Sequence, residues 1–188
     1  MEAILKRELI TNRQLCRIIA LFFSVILVSL GAFVRIPLPF TPVPLTLQTF
    51  FVLLGAGLLG RRLGLTAQLS YVLLGALGLP IFANAAYGLS YFASPTAGYL
   101  FGFILATIFV SGSLKRAKGN LRSLFLIFYL GSMIILLSGS FWLKVSLGIS
   151  LTQALIIGCL PFIPGDLLKV IAVTLIYPRL KTRAAKIL

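Results

Sequence analysis

The sequence predicts an all-α integral membrane protein, folded as a bundle of six transmembrane helices with a ligand pocket in its outer half. Of the 188 residues, 60% are hydrophobic, and the mean hydropathy is +1.10. Charged residues make up 11% of the chain, whereas soluble proteins contain about 25%. Six apolar segments lie between connections that are alternately basic and almost uncharged: residues 18–34, 46–59, 65–79, 97–114, 123–143 and 165–177.

The basic residues predict which side of the membrane each connection faces. Most of the 17 Lys and Arg fall at the two termini and in the connections after the second and fourth segments. Six spans place these regions on one side, which the positive-inside rule assigns to the cytoplasm. We therefore expect a basic cytoplasmic segment at residues 1–17, a single six-helix membrane domain at 18–180 and a basic cytoplasmic tail at 181–188. The net charge of +14 then reflects topology, and nucleic-acid binding is not expected.

The first apolar segment is expected to be retained as a membrane helix. It is long for the apolar region of a secretory signal peptide, and five further apolar segments follow it. Ala20 and Ser24 are small residues four positions apart, a spacing that lets another helix approach closely. The approaching helix belongs either to the same bundle or to an external partner.

The first outer connection is predicted to border a cavity. Prolines recur through residues 37–44, where they exclude a helix and favour a stiff extended path across a cavity mouth. Thr46 and Gln48 follow at the start of the second segment, where buried polar groups need partners from the backbone or from a ligand. The second and third segments are short for membrane spans. A tight cytoplasmic turn at residues 60–64 would join them and leave a concavity on the outer side.

Residues 80–98 supply a candidate lining for that concavity, because they are uncharged and rich in aromatic and small side chains. Asn84 offers both a donor and an acceptor, and Tyr87 and Tyr91 each offer a hydroxyl group. Phe92 adds an aromatic wall. For Tyr91 and Phe92 the alternative is an aromatic belt at the membrane interface.

The run Ser-Pro-Thr at residues 94–96 predicts the start of the fourth helix, with a capping side chain and an early proline. The N–H groups near Ala97 and Gly98 would then be available to an anion.

The fifth segment is apolar and is expected only to pack against its neighbours. A short helical piece near residues 150–158 follows it. That piece is too short to span a membrane, and a lid over the pocket is one role for it.

Two charged residues stand inside the last apolar stretch. Asp166 is the only acidic residue after Glu8, and Lys169 lies three positions later on the same helix face. Ionisable side chains within a bilayer are rare and usually face a bundle interior or a polar cavity. A helix that starts near Gly165 places the carboxylate in its first turn, where free N–H groups stabilise it. The pair predicts half of a binding site; the alternative is a structural ion pair with Asp166 as a helix cap.

Several function classes are excluded by what the sequence lacks. Histidine is absent and there are two cysteines, so no metal site is expected. No G-x-x-x-x-G-K-[ST] loop occurs, so ATP is not expected to bind to this chain. With a single carboxylate in the membrane, paired acid–base catalysis is also lacking, which argues against an enzyme.

Several motifs resemble the BioY family, the biotin-specific S components of energy-coupling-factor ABC transporters. They are PVPLTLQT at residues 42–49, YVLLGALGLPIFA at 71–83, SPTAGYLFGF at 94–103 and PFIPGDLLK at 161–169. The resemblance covers about residues 18–180 and implies a six-helix protein of the bacterial cytoplasmic membrane that captures biotin from outside. It also implies partners, a transmembrane T component and two ABC-type ATPases, and no cofactor on this chain. The family's docking face matches Ala20 and Ser24.

Biotin is chemically compatible with the candidate residues, since its ureido ring offers two N–H donors beside a carbonyl and its side chain ends in a carboxylate. Asp166 could accept from one ureido N–H, Lys169 could donate to the carbonyl, and Asn84 could take the second N–H. The carboxylate would then lie near residues 96–98. The alternative places Lys169 on the carboxylate. A rival interpretation keeps the pocket but assigns it to an S component or facilitator for a different vitamin; a membrane enzyme is a more distant one.

Overall fold

The computed structural model describes residues 13–117 and 119–184. Its regular elements, in chain order, are α1 (Arg13–Phe33), β1 (Arg35–Ile36), β2 (Leu45–Thr46), α2 (Gln48–Ala76), two 3-10 helices (Ala83–Ala85 and Leu89–Ala93), α3 (Ala97–Leu114), α4 (Leu121–Leu147), α5 (Leu151–Gly158), a 3-10 turn (Leu160–Phe162) and α6 (Ile163–Ala184). Apart from the short ribbon formed by β1 and β2 and the connections between elements, the described part of the chain is helical, as the sequence predicts.

Five helical stretches of the described residues are long and apolar enough to cross a membrane. They are α1, α2, α3, α4 and the stretch Leu151–Ala184, which combines α5, the 3-10 turn and α6. The expected helical membrane protein is therefore confirmed at this level.

The second of these stretches reverses direction at Gly60. Its φ of 69° and ψ of −171° are not helical, and this positive φ is one that glycine adopts without a side-chain clash. The Gln48 side-chain amide donates to the Tyr71 hydroxyl at 2.8 Å, although a straight helix would place residues this far apart in sequence about 35 Å from each other. The helix α2 is therefore a hairpin with two arms, residues 48–59 and 61–76.

Several helices extend beyond the predicted apolar segments. The described part of α1 begins at Arg13, within the segment expected to be cytoplasmic, and α4 continues to Leu147. The last helix runs to Ala184 through Pro178. Lys and Arg are good helix formers, so the end of an apolar run marks a change of environment and not the end of a helix.

Helices α2, α3, α4 and α6 close into a ring around a common core: α2 packs against α3, α3 against α4, α4 against α6, and α6 against α2. In addition, α1 packs against α2 and α5 packs against α4. The β1–β2 ribbon pairs Arg35 with Thr46 and Ile36 with Leu45, which ties the ends of the proline-rich loop to the start of α2. At only two residues per strand, this ribbon is too short to leave a periodic signal in the sequence.

Candidate functional site

A cavity of about 50 Å³ lies at the end of the bundle away from Gly60. Its walls come from the proline-rich loop, the start of α2, the connection before α3, the first turns of α3, the middle of α4 and the start of α6. Five of the residues predicted for the site line it: Thr46, Gln48, Tyr91, Asp166 and Lys169. Val43 and Pro44 also line it, as expected for a loop that borders a cavity mouth.

The two membrane charges form an ion pair in the cavity wall. Lys169 Nζ donates to Asp166 Oδ1 at 2.6 Å, and Asp166 is only 2% exposed. The second carboxylate oxygen, Oδ2, accepts from Ser132 Oγ, also at 2.6 Å. Asp166 lies in the first turn of α6, but side chains and not helix N–H groups provide these hydrogen bonds. The carboxylate is therefore held by a cation and a hydroxyl group. The ion pair agrees with the structural alternative, whereas side-chain hydrogen bonds stand in place of the helix N–H groups that both interpretations expected.

The Ser132 contact corrects the expectation that the fifth segment only packs. Ser132 is fully buried on α4, and its hydroxyl reaches Asp166 on α6. Elsewhere on α4, Trp142 Nε1 donates to the Ser94 carbonyl at 3.0 Å and Ser138 Oγ donates to the Gly98 carbonyl at 3.0 Å. This helix thus positions both the carboxylate and the connection before α3. The serines within this apolar segment were the feature of the sequence that could have indicated these contacts.

Gln48 finds its partners within the protein. Its Nε2 donates to the Tyr71 hydroxyl at 2.8 Å, and its Oε1 accepts from Thr46 Oγ1 at 3.3 Å. The Tyr71 hydroxyl in turn donates to the Ile81 carbonyl at 3.0 Å. Tyr71 is buried and was not predicted, yet it connects both arms of α2 to the connection that follows. Its hydroxyl sets the orientation of the Gln48 amide at the cavity wall.

Tyr91 lines the cavity and is not part of an exposed aromatic belt. Its ring stacks on Phe82 with centroids 4.5 Å apart, and its hydroxyl accepts from Thr96 Oγ1 at 2.9 Å. Burial raises the pKa of Tyr91, and the hydrogen bond from Thr96 opposes that shift. The phenol therefore stays neutral and keeps a proton to donate.

Four predicted residues do not line this cavity. Asn84 is exposed, with a φ of 67° in a short 3-10 turn, and Tyr87 is 58% exposed. Phe92 packs against Phe82 with centroids 6.3 Å apart. Gly98 faces α4, where a Cβ atom would overlap Trp142, so its small size serves helix packing.

The start of α3 differs from the prediction in its cap and in the Ala97 N–H. Thr96 precedes the helix in a helical conformation and makes no side-chain cap. The Ala97 N–H donates to the Ser94 carbonyl at 3.2 Å, and the Tyr99 N–H donates to the Thr96 carbonyl at 3.1 Å. Turn hydrogen bonds therefore occupy these two donors, and Thr96 offers its side chain to the cavity instead.

Sequence reasoning missed three aromatic residues of the wall, Tyr99, Phe103 and Phe162. Tyr99 and Phe162 line the cavity with ring centroids 6.4 Å apart, and the Tyr99 hydroxyl donates to the Gly158 carbonyl at 2.6 Å. Both occur in the family motifs, but only helix register shows that they face inward. Within residues 13–117 and 119–184, no three His, Cys, Asp or Glu side chains come together to hold a metal ion.

The predicted docking residues lie on a different surface. Ala20 and Ser24 line an apolar groove formed by α1, α2 and α6 near the Gly60 end of the bundle. Ser24 is buried and packs beside Gly55 of α2, so part of its small size serves the bundle itself. Both residues nevertheless line this groove on the surface of the bundle.

Comparisons with known proteins agree with one another. The sequence profile of the BioY family matches residues 6–186. The biotin transporter BioY of Thermotoga maritima is 43% identical over 155 residues, which cover 82% of this chain and 89% of that protein. A probable biotin transporter BioY of Pyrococcus horikoshii is 40% identical and covers 87% and 94%. A crystal structure of the S component for biotin from an ECF-type ABC transporter superposes with a TM-score of 0.85 at 28% identity, covering 91% and 93%. This chain belongs to the BioY family.

Proposed function

We propose that this chain is the biotin-binding S component of an energy-coupling-factor transporter in the bacterial cytoplasmic membrane. The observation that carries the proposal is the Asp166–Lys169 pair, two opposite charges held 2.6 Å apart in the wall of a cavity. Buried ionisable groups at membrane depth are costly and mark ligand pathways. The relatives are biotin transporters, and transport rather than catalysis is the matching role.

The pair suits the ureido group of biotin. Asp166 Oδ1 faces Lys169, so a ureido edge that approaches from the cavity can donate an N–H to the carboxylate and accept from Nζ at its carbonyl. Ser132 keeps hold of Oδ2 meanwhile, which fixes the carboxylate plane. Tyr91, Tyr99 and Phe162 would cover the apolar rings and chain. Asn84 and Tyr87 contribute only if their connection rearranges, because both side chains now point to the surface.

Six membrane crossings follow if the two arms of α2 are counted separately. At 1.5 Å per residue, residues 48–59 span about 18 Å and residues 61–76 about 24 Å, less than the roughly 30 Å hydrocarbon core. The reversal at Gly60 carries Arg61 and Arg62, which the positive-inside rule assigns to the cytoplasm together with both termini. The cavity then opens in the outer half of the bundle.

Entry of the ligand requires the outer connections to move apart. A volume of about 50 Å³ holds a few water molecules and not a bicyclic vitamin. The proline-rich loop and the connection before α3 are the walls without long helices. Their displacement is the least costly way to admit the ligand.

Energy must come from other subunits. The chain has no phosphate-binding loop, so ATP would be hydrolysed by two ATPases that act through a T component. Ala20 and Ser24, on the groove between α1, α2 and α6, are the residues through which docking is proposed. Ala20→Trp should then abolish transport by the full complex while biotin binding persists. Loss of binding in that variant would assign Ala20 to internal packing.

The decisive experiment is isothermal titration of biotin into the purified chain in detergent. We expect one-to-one binding, reduced about tenfold or more by Asp166→Asn and by Lys169→Ala, since each removes a charged hydrogen bond to the ligand. Lys144→Ala is the matched control, because this lysine is exposed at the end of α4 and should leave the affinity unchanged.

Two other outcomes distinguish a wrong ligand from a wrong role of the charged pair. Binding of another vitamin in place of biotin would retain the S-component role and reject the ureido assignment. Affinities within twofold of wild type for both charge variants would return the pair to a structural role.

A further inference from the structure

The groove at the Gly60 end of the bundle has the dimensions and polarity of a site for a lipid chain. This α1–α2–α6 groove encloses about 350 Å³ and is lined almost wholly by apolar side chains, among them Phe23, Leu54, Leu58 and Leu180. Ala20, Ser24 and Gly55 are small residues, so the three helices leave an open groove there and not a packed interface. In a bilayer an apolar group that fits the groove will occupy it.

Arginines surround one end of the groove. Arg183 lines the groove itself, and Arg17 and Arg62 line an adjoining recess of about 370 Å³ that shares Leu59 with it. All three arginine side chains are exposed. In residues 13–117 and 119–184 the one carboxylate side chain is Asp166, which is bonded to Lys169 and Ser132. The charges of Arg62 and Arg183 are therefore not offset by a carboxylate of that part of the chain.

The groove and the neighbouring Arg17 together extend over about one membrane leaflet. Along α1 its lining extends from Ala20 to Leu27, and Arg17 lies one turn before it. From Arg17 to Leu27 the helix rises about 15 Å, half of the roughly 30 Å hydrocarbon core. A phosphate at the arginines would therefore lie at the membrane surface while an acyl chain ends near the bilayer centre.

We propose that the α1–α2–α6 groove binds one anionic phospholipid of the cytoplasmic leaflet. Its phosphate contacts Arg17, Arg62 and Arg183, whose planar guanidinium groups form paired hydrogen bonds with phosphate oxygens. One acyl chain lies along the groove beside Phe23 and Leu58. This inference relies on the cytoplasmic orientation proposed above but not on which vitamin the cavity binds. Because Ala20 and Ser24 lie in the same groove, the lipid has to leave before a T component can dock there.

The test is a lipid titration of the delipidated chain in detergent, followed by native mass spectrometry. The probes are palmitoyl-oleoyl phosphatidylglycerol and the zwitterionic phosphatidylcholine with the same acyl chains. We expect one phosphatidylglycerol to bind at least tenfold more tightly than phosphatidylcholine. Basic residues near a membrane surface contribute about fivefold each, so Arg17→Gln/Arg62→Gln/Arg183→Gln should lose on the order of 100-fold.

A charge-matched control separates a defined site from diffuse attraction. Lys115→Gln/Arg116→Gln/Arg122→Gln removes the same charge from the connection after α3 and the first turn of α4, and should keep phosphatidylglycerol binding within about threefold of wild type. Equal losses in the two triple variants would overturn the proposal, and so would equal affinity of the wild-type chain for both lipids.

The acyl chain is tested by filling the groove. Leu58→Trp should weaken phosphatidylglycerol binding with all arginines in place, whereas Leu73→Trp, at an exposed leucine of the other α2 arm, should not. Competition by millimolar sn-glycerol 3-phosphate would show that a free phosphate suffices and would overturn the lipid assignment. Thermal unfolding of each variant verifies folding, and biotin titration of the same samples reports separately on the vitamin site.

Discussion

Replacement of Lys169 by methionine isolates the energy of the buried ion pair. The Asp166 side chain is 3% exposed and that of Lys169 is 10% exposed, so the substitution leaves a carboxylate inside the bundle with Ser132 as its remaining partner. Breaking a buried pair by removal of one partner costs about 3–5 kcal/mol. We expect the free energy of unfolding to fall by that amount, since methionine keeps the length of the side chain but not its charge.

The double variant supplies the test. When Asp166→Asn is added to Lys169→Met, the site no longer contains an unpaired buried charge. The free energy of unfolding should then return to within about 1–2 kcal/mol of wild type. The recovery measures the coupling between the two residues. Biotin affinity should not recover, because neither charge is then available to the ureido group.

The assay is equilibrium unfolding in mixed detergent and SDS micelles, followed by circular dichroism, with biotin titration of the same variants. A loss below about 1 kcal/mol in Lys169→Met would show that the carboxylate tolerates the absence of its cation, which refutes the argument from burial. Recovery of both stability and biotin affinity in the double variant would establish a purely structural pair.

Three further substitutions test other contacts. Ser132→Ala removes a hydrogen bond to a charged group and should lower the free energy of unfolding by about 1.5–3 kcal/mol. Ser138→Ala, whose partner is a backbone carbonyl, should lower it by about 0.5–1.5 kcal/mol. Equal losses in the same unfolding assay would contradict this. Tyr71→Phe leaves the buried Gln48 amide without its acceptor and should cost about 1–3 kcal/mol and weaken biotin binding in titrations, and unchanged values for both would remove Tyr71 from the site's support. Gly60→Ala should destabilise by about 1–3 kcal/mol, while Gly112→Ala, in open space within a helix, should be neutral or stabilising; the reverse order would reject the hairpin turn.

The charged pair could be predicted from sequence because its signal is local. Asp166 and Lys169 stand out against an apolar background, and their spacing alone places them on one helix face. Thr46 and Gln48 were found for the same reason, as polar groups at the start of an apolar helix. Burial of such groups costs free energy unless they find partners, so their presence in an apolar segment indicates a site without knowledge of the tertiary structure.

The supporting residues could not be predicted, because they depend on how helices meet. Ser132 and Tyr99 are ordinary residues of apolar helices until α4 is set against α6 and α3 against α5. Asn84 shows the opposite failure: its chemistry suited a ligand, but a backbone with φ of 67° leaves its side chain at the surface. In loops a few dihedral angles decide the direction of a side chain, and the sequence constrains them weakly.

The contact between Trp142 and the connection before α3 gives this protein a built-in optical reporter. The chain contains one tryptophan, half-buried on α4, and its indole N–H donates to the Ser94 carbonyl beside the cavity residues Tyr91 and Thr96. Indole emission responds to polarity and hydrogen bonding at its own position. If the connection swings away to admit a ligand, the indole loses its acceptor and meets a different environment, so opening of the pocket can be timed in stopped flow by intrinsic fluorescence without attachment of a dye.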